Sequence, residues 1–161
     1  MGRPIRILLA AAAAAWLTLL ITAPGAGLGI PAAAATYLFG SVVCHQQPDR
    51  SFHLGAAQLP VCARCAGLYA GAAVVFWFAA LQRFATPHAW RGAAAPRLLL
   101  LAAAAPTALT WGAEAIGLWS PGNAVRFAAA LPLGAAVAVT VNYVECARTQ
   151  PSGSRRPPTR T

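Results

Sequence analysis

Four long stretches of this chain, 7–24, 65–84, 98–119 and 124–146, are almost free of charge. Each is close to the roughly 20 residues that a helix needs to cross the hydrocarbon core of a bilayer. Nothing else in the sequence restricts the fold as strongly, because such runs need an apolar solvent. Composition agrees: 58% of the residues are hydrophobic and only 9% are charged, against about a quarter charged in soluble domains. That is too little charge to cover a water-exposed surface. The expected fold is therefore all-α. It is a polytopic helical membrane protein with about four membrane-embedded helices and one short interfacial helix.

The runs differ in their punctuation. The first follows Arg3 and Arg6 and is interrupted by Pro24, Gly25, Gly27, Gly29 and Pro31. A basic start before an apolar stretch also describes a signal peptide, but the further spans favour an uncleaved first helix. Segment 32–43 is apolar yet too short to span, and it leads straight into Cys44. In the run after Cys65, Gly67 and Gly71 form a small-xxx-small pair, which suits close helix packing in lipid. Pro106 is expected to kink or break the third span, and Ser120 to Asn123 to form a tight turn. Residues 1–146 form a single helical membrane domain, and 147–161 a disordered basic tail rich in Pro, Ser and Arg.

All the positive charge is arginine, and its distribution orients the spans. With four crossings, nine arginines (3, 6, 83, 91, 97, 148, 155, 156 and 160) share one side, and Arg50, Arg64 and Arg126 lie on the other. Cytoplasmic loops collect positive residues. Both termini are therefore expected in the cytoplasm and segment 44–65 at the outer face of a bacterial cytoplasmic (inner) membrane. The bilayer is the expected partner. Nucleic acid is not, since no aromatic-basic interleaving or groove-reading motif accompanies the charge. No protein partner is specified.

The segment between the first two full spans carries the chemistry: Cys44-His45-Gln46-Gln47-Pro48-Asp49-Arg50-Ser51-Phe52, then Gly55, Gln58, Pro60-Val61-Cys62-Ala63-Arg64-Cys65 and Gly67-Leu68-Tyr69 with Gly71. This pattern resembles the signature of the predicted bacterial membrane proteins grouped as domain of unknown function 2085. Residues 32–43 resemble the helix before that signature, and Ser120, Asn123, Arg126 and Gly134 its weaker second motif. Members of the family often carry an acid near the position of Thr110; the nearest one here is Glu114. The resemblance implies a membrane protein and names no reaction.

Thiolates and imidazole are ligands for zinc or iron. Cys62-x-x-Cys65 has the spacing of half a zinc knuckle, and Cys44 with His45 would supply the other half. Neighbours on a helix point about 100° apart, so both can bind one metal only if the helix ends at Cys44. His53 is a possible substitute ligand or general base. A second chemistry is redox: a Cys-x-x-Cys pair in an oxidising compartment can form a disulfide, with Arg64 favouring the thiolate. That would make the protein a membrane thiol-disulfide oxidoreductase of the quinone-linked type. A third is a transport or accessory protein stapled by the cluster. A c-type haem is disfavoured, because Ala66 stands where a histidine is required. Asp49, Arg50, Arg64, Glu114 and Arg126 are accessory candidates, and an acid in a span needs a partner. Glu114 is expected to pair with Arg126 or Arg64. His88 and Cys146 are expected to lie away from the cluster.

Overall fold

The computed structural model describes residues 3–81 and 94–149. The expectations for Arg83, His88 and Arg91, and for the tail from residue 150 onward, lie outside them. Five α-helices are present among the described residues: α1 (Arg3–Thr22), α2 (Ile30–Val43), α3 (Ala63–Ala80), α4 (Ala94–Ala115) and α5 (Asn123–Thr149). Four of them, α1, α3, α4 and α5, are long and apolar enough to cross a membrane. α2 has 14 residues, about 21 Å of helix, which falls short of the hydrocarbon thickness.

Their surfaces bear out the apolar solvent. Leu8, Leu101, Leu109 and Val74 are all more than half exposed, and in water such a contiguous apolar surface would drive association. Shape holds the helices together instead. α3 packs on α5 along Gly67, Gly71 and Gly134. A Cβ on Gly67 would run into the carbonyl of Phe127, one on Gly71 into that of Leu131, and one on Gly134 into that of Leu68. The glycines thus let two backbones approach each other directly, as small residues do between helices in lipid.

α4 runs through Pro106 without a break, as α5 does through Pro132. One expectation about a helix end is corrected: α4 stops at Ala115 rather than Trp119. Gly117, at φ 70°, ends it: its N–H donates to the Glu114 carbonyl, and the Leu118 N–H to that of Ala113. This is a glycine-terminated helix end with the left-handed residue just past the last turn. Glu114 therefore sits in the final turn of α4.

The cysteine segment is more ordered than the expected loop 44–65. A 3-10 turn (Pro48–Arg50) leads into an antiparallel hairpin of β1 (Ser51–Leu54) and β2 (Ala57–Cys62). Gly55, at φ 63°, opens the two-residue turn between Leu54 and Ala57. α3 begins directly after β2, so Cys65 belongs to its first turn.

Candidate metal centre

α2 ends where the chemistry needs it to end. Cys44 caps the helix in an extended conformation (φ −150°, ψ 142°), its N–H still bonded to the Gly40 carbonyl. Gln46 then takes a left-handed conformation at φ 47°, and its side chain holds it there. The Gln46 amide donates to the carbonyls of Tyr37 (2.8 Å) and Pro60 (2.7 Å), and the Gln58 amide donates back to the Gln46 carbonyl (2.7 Å). The Tyr37 hydroxyl donates to the Gln58 carbonyl. These bonds press the hairpin onto α2, where Gly40 leaves no room for a side chain against Pro60. Asn123, at the start of α5, donates to the Ser51 carbonyl at 2.9 Å. Phe52 meets Phe127 edge to face with centroids 5.8 Å apart.

This clamp brings Cys44 beside Cys62 and Cys65. The three sulfurs lie within 4.8 Å of one another, and the cysteines are free thiols. Metal–sulfur bonds of about 2.3 Å in a tetrahedron would set them roughly 3.8 Å apart, a small contraction. The Cys62 backbone N–H donates to the Cys44 sulfur at 3.1 Å. A hydrogen bond from the Cys65 thiol lowers the Cys62 pKa to about 5, with further hydrogen bonds helping and burial opposing. Behind the cluster stands an apolar wall of Leu20, Val61 and Ala66, with Trp16 and Tyr69 packed against it.

In front of it is a cavity of about 390 Å³ lined by the three cysteines and by Arg50, Arg64 and Arg126. Glu114 pairs with all three arginines: with Arg64 at 2.7 Å, Arg126 at 2.8 Å and Arg50 at 3.2 Å. The pairing expected of Glu114 with Arg126 or Arg64 is thus found with both, and Arg50 joins it. Arg126 also bonds the Asn123 side chain. Arg126 is 5% exposed, deep enough that an unpaired charge there would be costly.

The structure does not bring every candidate residue together. His45 is exposed and lines the cavity, outside the three-sulfur group. His53 is exposed on β1, opposite Gln58 in the hairpin register. The Asp49 carboxylate is 75% exposed and 3.8 Å from the Arg50 Nε. Cys146 is in the last turns of α5, 20 residues or about 30 Å along the helix from Arg126. Sequence reasoning missed the hairpin, the Gln46 clamp and the place of Trp111 in the cavity lining. The hairpin had a signal: Gly55 between two short strand-like runs.

Residues 44–140 match the family described as a predicted membrane protein, domain of unknown function 2085 (DUF2085), and the chain belongs to that family. An uncharacterised protein of Methanothermobacter thermautotrophicus is 35% identical over 103 residues, which are 64% of this chain and 87% of that protein. One of Methanocaldococcus jannaschii is 34% identical over 95 residues, 56% of each chain. Both relatives are archaeal, so proteins of this kind are not confined to bacteria. No solved structure matches the chain.

Proposed function

We propose that this member of the DUF2085 family is a multi-pass protein of a cytoplasmic membrane that binds a soft divalent metal, zinc or iron, through Cys44, Cys62 and Cys65 at the extracytoplasmic face. The observation that carries this reading is the grouping of three free sulfurs within 4.8 Å, drawn from a helix end, a strand end and a helix start. Thiolates are the ligands that such metals select. Three of them leave one position of a tetrahedral site, and the cysteines line the cavity into which it would open. A site with three protein ligands and an open position is the arrangement of reactive rather than purely structural zinc. His45 lines the same cavity. The arginine asymmetry supports the outward orientation.

The competing chemistry is oxidation of the same cysteines to a disulfide. Elemental analysis of detergent-purified protein, combined with thiol alkylation, separates the two. We expect close to one metal per chain, with thiols protected until a chelator is added. Cys44→Ser should lower metal affinity by at least ~100-fold, the upper range for losing a supporting ligand interaction. Metal-free protein in which alkylation requires a reductant rather than a chelator would overturn the metal reading and favour the thiol-disulfide one.

A further inference from the structure

The charges in front of the cluster do not cancel. Arg50, Arg64 and Arg126 share a single carboxylate, that of Glu114. A divalent metal on three thiolates, as proposed above, would carry one net negative charge. One positive charge then remains in excess, since Asp49 is largely in water and is screened there. Arg64 is the second residue of α3 and Arg126 the fourth of α5, so both of these cations on the cavity come from first helical turns. A cation in the first turn of a helix is placed against the macrodipole, and stability alone does not favour it there.

Hydrogen bonding tells the same story independently. The Nε atoms of Arg50, Arg64 and Arg126 are all buried, and none has a hydrogen-bond acceptor among the described residues. Buried donors are almost always paired. Glu114 takes the Nη groups of these arginines and leaves the Nε groups. Each guanidinium carries five N–H donors, and Glu114 takes one nitrogen of each, so three cations with further donors line one cavity. Arginine forks suit phosphate geometry.

We propose that the cavity in front of the cysteines binds the singly charged phosphate group of a ligand, held by Arg50, Arg64 and Arg126. The phosphate can come from the water as inorganic phosphate or from a lipid headgroup. Trp111, which also lines the cavity, is 61% exposed near the end of α4, where tryptophans commonly mark the lipid–water interface. The charge balance rests on the metal reading; the three guanidinium groups that line the cavity and share one carboxylate do not.

The test is calorimetric titration of inorganic phosphate, with acetate as a control, into full-length protein in a phosphate-free detergent. Native mass spectrometry of protein from phosphatidylglycerol-containing nanodiscs gives the lipid arm. We expect saturable binding of one phosphate, or retention of one phosphatidylglycerol per chain. Either is expected to weaken about tenfold or more in Arg126→Gln and in Arg50→Gln, as loss of a charge-assisted hydrogen bond implies. Arg50 is only partly buried, so its variant keeps the test valid if Arg126→Gln fails to fold. Cys44→Ser, which weakens metal binding, should keep the phosphate; that result, or phosphate binding by metal-free wild type, upholds this inference even if the metal reading fails. Neither phosphate nor lipid binding, equal binding of acetate, or binding that survives both arginine variants would overturn it.

Discussion

The two ends of this bundle are held together by different physics. In the slab, α3 and α5 meet through glycines and backbone carbonyls, with no charge between them. At the polar end, α2, the hairpin, the start of α3, α4 and α5 meet through three arginines, one glutamate and paired glutamine amides. The slab tolerates almost any apolar side chain where lipid is the neighbour and none where a backbone is. The polar end tolerates shape changes better than changes in charge count. The slab therefore specifies a distance, and the polar end specifies a stoichiometry.

The sharpest way to break this contrast is to remove the shared carboxylate. Glu114→Ala leaves three arginines without their common counter-ion, two of them mostly buried. Breaking a buried pair from one side costs about 3–5 kcal/mol, and thermal unfolding in detergent should show a loss of that order. A loss below about 1 kcal/mol, the range of surface pairs, would mean that the network is decorative. In the slab, Gly71→Ala places a methyl where a carbonyl already lies. We expect about 1–3 kcal/mol from overpacking and no change in metal content. If metal content fell with stability, the two ends would not be separable.

The smallest effect concerns the cluster itself. In metal-free protein, alkylation of Cys62 should rise through pH 5 and be nearly flat by pH 7, because the Cys65 thiol holds its pKa near 5. An unfolded cysteine still rises near pH 8.5. The sign follows: the thiolate stabilises the fold fully above the unfolded value, and that contribution is lost as pH falls toward 5. Mass-spectrometric labelling across pH checks it, and a Cys62 profile centred near 8.5 would contradict it.

The slab was legible because hydropathy is additive along the chain: run length alone locates α1, α3, α4 and α5, and the Gly67–Gly71 spacing marks the packed face. The helix ends were less so. Trp119 and the turn after it extend the apolar run beyond α4, and only the conformation of Gly117 shows where the helix stops. For the site, Cys44, Cys62 and Cys65 stood out by residue type and spacing. His45 stood out equally by type, yet adjacency to Cys44 did not bring it to the sulfurs. Gln46 was invisible for the opposite reason. Its role depends on carbonyls 9 and 14 residues away, and nothing in a single sequence reports such pairings.

The Arg64–Glu114 pair joins residues 50 positions apart, and this gives the site a history. A chain made N-terminus first at about 5–20 residues per second exposes Arg50 and Arg64 for several seconds before Glu114 is synthesised, and longer before Arg126 and Asn123 lock the hairpin. Until α4 enters the bilayer, the cysteines are complete but their electrostatic setting is not. A chain truncated or stalled before α4 therefore holds Cys44, Cys62 and Cys65 without Glu114, Arg126 and Asn123.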